Sequence, residues 1–487
     1  MNILSSRRSF LAGVSAFSLS GCVAGRGGFL SGVPRLKFGV VSDIHITDWN
    51  STEIFRKTLR WYSDQGVDAV MIVGDLADHG LVLQLENVAK AWYEVFPADR
   101  APDGRHVEKL FVYGNHDVEG LKYRDKWMDA SFALHGISRE QAKGMQLANV
   151  GIDKAWEKCF NEPYSPIWKK TVRGYDFIGG HWDTWHGIRG LEDWLKANIA
   201  TIDTGKPFFY FQHPHPKDTV YGSWAWGHDD GQSTRALTPY ANAVAFSGHS
   251  HTSLTDERSV WRGAFTSIGT SSLSYVCLDG PRENSHGASW LGRRQMEPVN
   301  GVSRAAVHGK GGVPTRQGQL VDVYSDRLVI RRRDFVRDED LDEAWLLEMP
   351  AKASPFSARA AHSPGPVFPS GAAVSIAYGK GKDRGGKEAE QVKVSFPAAI
   401  AEPKTRPFDY ELVIEARELD VEATLSSFRF YSPTAMLAKG RDCGDVEFVL
   451  SLEELPKKAE FRFAVRALNS YGVKGAPVFS DWRRAGA

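Results

Sequence analysis

Five short apolar runs, each stopping at a cluster of Asp, Asn or His, constrain this chain more than any other feature. Leu36 to Val41 leads through Ser42 to Asp43-Ile44-His45, and Ala69 to Val73 leads to Gly74-Asp75-Leu76-Ala77-Asp78. Leu110 to Tyr113 leads to Gly114-Asn115-His116-Asp117. Phe208 to Phe211 leads to Gln212-His213-Pro214-His215-Pro216, and Ala243 to Phe246 leads through Ser247 to Gly248-His249-Ser250-His251. Brief apolar runs bounded by turn-formers predict buried strands. Between the first two, Ser51 to Gln65 sets Ile54, Phe55, Leu59 and Tyr62 on one side and stops at Gly66, which predicts a helix. Leu85, Val88, Trp92, Val95 and Phe96 mark a second one. The resulting β-α-β-α-β order predicts parallel strands with right-handed crossovers. Sites in such sheets form beyond the carboxyl ends of the strands. Every polar cluster here stands at such an end.

Taken singly, Asp-x-His, Gly-Asp and His-x-His are common in turns and on surfaces. As an ordered set of five, with Gly-Asn-His-Asp at its centre, they resemble the calcineurin-like metallophosphoesterase family, over roughly residues 36–335. The resemblance implies an α/β fold, a β-sheet sandwich flanked by helices, with a two-metal site. One metal would take Asp43, His45 and His251, the other Asn115, His213 and His249, with Asp75 bridging them. Imidazole and carboxylate donors without thiolate suit Mn, Fe or Zn. Two divalent ions, two aspartates and a hydroxide leave a cationic site suited to a phosphoryl group. The implied activity is metal-dependent hydrolysis of phosphate esters by attack of a metal-activated hydroxide on phosphorus. His116 would protonate the leaving oxygen or stabilise its charge. Asp117 would either orient His116 or cap the following helix.

Several further residues are candidates for supporting or substrate-contacting roles. Asp78 is either a support for the metal ligands or a turn residue. His213 ends its strand directly and is the preferred ligand of the fourth block; His215 is the fallback, or else contacts substrate or nothing. The family often has two consecutive histidines there, and this chain departs from that pattern. Asp78 also stands where purple acid phosphatases carry a Tyr, which argues against that subgroup, and the G-D-x-x-D spacing leans toward diesters. His181 is expected near the pocket rim; with Asp183 and His186 it is the alternative for a third metal. The insertion Tyr221 to Asp230 carries Trp224, Trp226 and His228, and is expected to overhang the metals or to form a local aromatic core.

The two ends of the chain read differently. Arg7-Arg8-Ser9-Phe10-Leu11 before the mildly apolar Ala12–Leu19 resembles a twin-arginine export signal over residues 1–21. Leu19-Ser20-Gly21-Cys22 resembles a lipobox, so Cys22 is expected to carry a lipid anchor, placing the protein in the periplasm or cell envelope and on a membrane. Beyond that segment no run of eighteen apolar residues exists. Sixty Lys+Arg against 59 Asp+Glu leave a net charge of +1, so no basic field points to nucleic acid. Cys159, Cys277 and Cys443 are an odd number without metal spacing and predict free thiols. The catalytic domain is expected over 34–349, closed by a hairpin of Leu320–Tyr324 and Leu328–Arg332, with 350–369 as linker. Residues 370–487 show only β patterns and predict a small sandwich. Phe461 to Gly472 resembles the penultimate strand of a fibronectin type III domain, with Phe461 where that family has a Tyr. Such a domain is expected to act as spacer or wall, or to bind carbohydrate or a surface, and its removal near Pro366 to leave hydrolysis intact. Against the enzyme stands a surface binding protein with a degenerate metal domain, but no ligand of the set is missing. A phosphomonoesterase of the same fold is the third reading.

Overall fold

The computed structural model describes residues 32–123, 136–184, 186–222, 225–278, 315–382, 388–401, 405–418 and 421–484. The export signal, Cys22 and Trp224 lie outside them. Residues from Pro34 onward form one compact unit. No helix among the described residues is long and apolar enough to cross a membrane.

Two mixed sheets make the first part. In the first, β1 (Leu36–Val41), β2 (Ala69–Val73) and β3 (Glu108–Val112) run parallel, as the helical crossovers require. On the other side of β1 lie the antiparallel β10 (Gln317–Val323) and β11 (Arg327–Asp334), the hairpin expected from the sequence, with β12 (Glu339–Asp340) and β13 (Trp345–Glu348) paired to β11. The second sheet has the order β4 (Ile167–Val172), β5 (Tyr175–Gly180), β6 (Phe208–Gln212), β7 (Ala243–Ser247), β9 (Thr266–Gly269), β8 (Val260–Arg262). Its β5, β6, β7 and β9 are parallel.

The sheets face one another across an apolar core. Phe38 on β1 is fully buried and meets Phe177, Phe209 and Phe246 of the opposite sheet edge-on, with centroids 5.2, 4.9 and 5.9 Å away. Edge-to-face packing of this kind adds to area burial, and truncating such a ring to Ala costs about 3–5 kcal/mol. Helices Glu53–Asp64, Val82–Val95 and Ile152–Phe160 contribute to the core on the outer face of the first sheet. Helices Leu191–Asn198 and Gln232–Leu237 do so for the second.

The C-terminal part is a sandwich of two antiparallel sheets. One holds β14 (Ser375–Lys382), β15 (Glu388–Pro397) and β18 (Asp445–Ser451). The other holds β17 (Val421–Tyr431), β16 (Asp409–Glu418), β19 (Glu460–Leu468) and β20 (Val478–Phe479), with a short β21 (Arg483–Arg484) also on β19. β14 to β19 each run seven residues or longer, in keeping with the β patterns of this region. Phe461 is buried beside Phe463 in the sandwich core. The expected linker is not a free tether. Ala351 N–H donates to Ala241, Ser354 N–H to Arg262, and Arg359 to the carbonyls of Val260 and Glu257. A Pro- and Ala-rich composition leaves such anchoring to single donors, so it did not signal it.

Candidate metal centre

The loops after β1, β2 and β3 meet those after β6 and β7 at one edge of the sandwich. The first two loops zip together: Asp43 N–H donates to Gly74, His45 N–H to Asp75, and Ile46 N–H to Leu76. Gly248 N–H donates to His213, and His249 N–H to Asp43 Oδ2 at 3.1 Å, which ties the second sheet's tips to the first's. Close approach needs absent side chains. A Cβ on Gly74 would lie 2.4 Å from His213 Nδ1, and one on Gly248 1.9 Å from Ser42 Oγ.

The backbone turns sharply here. Asp43, His45, Asp75, His249 and His251 all have φ between 45° and 71°, in the left-handed region that costs a non-glycine residue about 1–2 kcal/mol. Such strain persists only where the surroundings hold it, and it clusters at functional sites. It lets alternate residues of a short turn aim at one point.

Two groups of buried donors result: Asp43, His45, Asp75 and His251, and Asp75, His213 and His249. Asp75 belongs to both. Within the first, His251 Nε2 is 2.9 Å from Asp43 Oδ1 and 3.3 Å from His45 Nε2, which is 3.6 Å from Asp75 Oδ2. Within the second, His213 Nε2 is 3.1 Å from Asp75 Oδ2 and 3.2 Å from His249 Nδ1. His45 Nδ1 faces Asp78 Oδ1 at 2.9 Å, and His251 Nδ1 faces the Tyr275 carbonyl at 2.8 Å. Both partners only accept, so each ring carries its proton on Nδ1 and turns a bare Nε2 inward. Two lone pairs and two carboxylates converge, an arrangement that calls for a cation. Asn115, next to the His116 whose backbone N–H donates to Asp75 Oδ1, has a buried Oδ1 with no hydrogen-bond partner among the described residues. The residues fit a metal pair.

The electrostatics point the same way. Burial alone would raise the Asp43 carboxyl, but His251 and His213 outweigh it and hold it at about 2. Asp75 is held well below the usual range, against burial, by His213 and His116. Burial works against charge on His213, yet Asp75 and Asp43 push it up to about 9. Burial and His213 take His249 down to about 3. The polypeptide thus draws positive charge between its two carboxylates, and a proton or a metal ion can supply it.

His116 lies beside this centre, its ring edge-on to His45 at 4.6 Å. Its N–H donates to Asp75 Oδ1 and its Nδ1 to the Asp78 carbonyl at 2.8 Å, which leaves Nε2 as the acceptor of the neutral ring. Asp78 holds His45, as a ligand support does.

The geometry decides four readings left open by the sequence. Asp117 does not orient His116; from the first turn of the helix Asn115–Tyr123 it caps that helix by accepting the Gly114 N–H at 2.8 Å. Its carboxylate accepts N–H bonds from Leu76, Ala77 and Gly114, and so clamps the second loop to the third. His215 touches neither metal group: Ser247 Oγ and Ser250 Oγ take its two nitrogens, at 2.8 and 2.9 Å. It instead braces the turn between His249 and His251. His181 is not at a rim but buried among Tyr113, Trp156 and Tyr164, accepting from Tyr113 N–H. Asp183 pairs with Arg189, and no cluster of three donors among the described residues includes His181, Asp183 or His186. His228 donates to the Val220 carbonyl and stands edge-on to His215, which makes it part of a local aromatic core.

Trp226 is 48% exposed with its ring 4.8 Å from that of His249. Sequence reasoning missed two other rings. Tyr275 lies 4.1 Å from the His251 ring, and Trp182 lies 6.1 and 6.0 Å from His213 and His249. Tyr275 sits in the polar stretch Ser271-Ser272-Leu273-Ser274, and it fixes His251 through a carbonyl, for which no residue type is diagnostic.

Residues 36–253 match the family model described as calcineurin-like phosphoesterase. No curated protein matches the chain. Among solved structures it is similar to a dimetal phosphatase from Danio rerio, at 14% identity and a TM-score of 0.35, over 64% of this chain and 98% of that one. A predicted phosphoesterase from Streptococcus pneumoniae is similar at 11% identity and a TM-score of 0.27, over 64% and 97%. Zinc-complexed Vps29 from Entamoeba histolytica is similar at 9% identity and a TM-score of 0.28, over 64% and 99%. At such TM-scores these likenesses carry no argument on activity.

Proposed function

We propose, from the match of residues 36–253 to the calcineurin-like phosphoesterase model, that this protein hydrolyses phosphate esters at a two-metal site. The observation that carries this is the convergence of two inward Nε2 lone pairs, from His45 and His251, on Asp43 and Asp75. Asp43, His45 and His251 would hold one ion, Asn115, His213 and His249 the other, and Asp75 both. When bound, such ions supply positive charge and an activated water. With Nδ1–H committed to the Asp78 carbonyl, His116 would carry the proton for the leaving oxygen on Nε2, as the imidazolium. Trp226 and Tyr275 flank the ligand histidines and offer faces to an apolar leaving group. The G-D-x-x-D spacing carries a lean to diesters. The N-terminal arginine pair and Cys22 support export and a lipid anchor, and with them an envelope substrate rather than an intracellular messenger.

The test is the initial rate on a p-nitrophenyl monoester and the matching diester, with Mn²⁺, with chelator, and beside Asp75→Asn. A chelator-sensitive rate that Asp75→Asn abolishes is expected, faster on the diester. A folded, Mn²⁺-loaded protein that hydrolyses neither ester would overturn the proposal for this substrate class.

A further inference from the structure

The strap Ser271–Leu278 connects the metal centre to the C-terminal sandwich. At its start, Leu273 N–H donates to Ser42 and Ser274 N–H to Asp43, the loop that carries a ligand. Next, the Tyr275 carbonyl takes the His251 Nδ1 proton while its ring lies on the same imidazole. Then Cys277 N–H donates to the His251 carbonyl, and Ser253 N–H to the Cys277 carbonyl. Cys277 pairs with Thr252 in an isolated parallel β-bridge, so Val276 and Leu278 on either side of it share one side. Tyr275 faces His251, while Val276 and Leu278 turn away and are buried against Phe408, Tyr431, Ala435 and Met436. All four of those belong to the sandwich or its β17–β18 loop.

A second set of contacts holds the residues that follow the His249–His251 turn. Gln317 on β10 is fully buried; its Oε1 accepts from Leu254 N–H at 2.7 Å, and its Nε2 donates to the Met436 carbonyl at 3.3 Å. Thr255 Oγ1 donates to the Ala435 carbonyl. The turn holding His251 is therefore gripped from the strap and from residues 253–255, and both grips end on the sandwich.

From this we infer that the C-terminal sandwich is a fixed wall of the metal centre, whose Phe408, Tyr431, Ala435 and Met436 act as positioning residues for His251 through the strap. The expectation that hydrolysis survives removal of this domain near Pro366 is thereby reversed. The apolar surface of Val276 and Leu278 would face water without it, and the Tyr275 carbonyl would lose its fixed place. The inference rests on the metal-centre reading only for its second readout.

The test uses the full chain. Phe408→Ala and Met436→Ala hollow the contact, Phe408→Leu refills most of it, and Val394→Ala hollows the sandwich's own core, which includes none of these contact residues. Amide hydrogen exchange is followed over 251–256 and 273–278, and Mn²⁺ affinity is measured by chelator competition. Both contact variants are expected to speed exchange in these segments by about tenfold and to weaken Mn²⁺ by about tenfold. Phe408→Leu restores both, and Val394→Ala moves neither at an equal loss of Tm. Unchanged exchange in the contact variants, or an equal change in Val394→Ala, would overturn the inference. If Phe408→Ala does not fold, Met436→Ala decides. A wild type that binds no Mn²⁺ would refute the metal centre, and the exchange data would still decide the role of the wall.

Discussion

Asp78 offers the sharpest test of how the centre is held. Its Oδ1 takes the His45 Nδ1 proton at 2.9 Å, and both side chains are less than a tenth exposed. A buried hydrogen bond to a charged group contributes about 1.5–3 kcal/mol, and each 1.4 kcal/mol is about tenfold in affinity. Asp78→Ala removes both the acceptor and the charge, so Mn²⁺ binding should weaken by about ten- to a hundredfold. Asp78→Asn keeps an acceptor in place and gives up about 1 kcal/mol, the difference between charged and neutral bonds, or about fivefold. Metal-free protein titrated with Mn²⁺ against a competing chelator at neutral pH reads both numbers, with circular dichroism as the check on folding. Folded Asp78→Ala that binds Mn²⁺ as tightly as wild type would refute the reasoning. So would an Asn variant weaker than the Ala variant.

Three further outcomes follow from geometry. Gly74→Ala, with φ at +86° and its new methyl 2.4 Å from His213 Nδ1, should lose about 2–5 kcal/mol in denaturant unfolding; unchanged stability and Mn²⁺ affinity would sink the close-approach argument. Adding chelator to protein held at about a hundred times Kd in Mn²⁺ removes about 2.7 kcal/mol of binding free energy, so Tm should fall by about 5 °C, and no shift would count against a resident metal. Burial alone would raise the Asp342 carboxyl, but its hydrogen bond with Glu343 and the Arg406 guanidinium hold it at about 2. A depressed carboxyl contributes stability above its unfolded pKa of about 3.9 that is lost as pH falls through about 2. The stability gap between wild type and Asp342→Asn should therefore be about 2 kcal/mol at most near neutrality and close as pH falls from about 4 to 2; a pH-independent gap would contradict this.

What could be read from the sequence were the side chains whose chemistry is their identity. Asp43, His45, Asp75, Asn115, His213, His249 and His251 each stand just past an apolar run, so strand ends and donor types gave the site together. Where the backbone does the work, residue type is silent. Asp117 looked like a partner for His116 because it is adjacent, yet its carboxylate is used by three N–H groups from two loops. His215, two residues past the preferred His213, stands as a fallback ligand by residue type alone, but two serines take its nitrogens. The sandwich's six main strands showed their alternation, whereas the two-residue β20 and β21 are too short to show a period. The docking of the sandwich was illegible for another reason. Val276 and Leu278 flank a tyrosine in a serine-rich stretch, and only the fold shows which side of the strap each one faces.

The contact between His45 and His251 joins positions 206 residues apart. In polymer terms, an ion gripped by both is a crosslink across a very long loop. Closing such a loop costs an unfolded chain about 5 kcal/mol of entropy, and a crosslink that survived unfolding would remove that freedom from the denatured ensemble. The candidate ligands come from loops of opposite sheets, so such an ion would also be a clasp that closes only once both have formed and docked. Capture of the ion would then report completed folding of the whole sandwich rather than of any one motif.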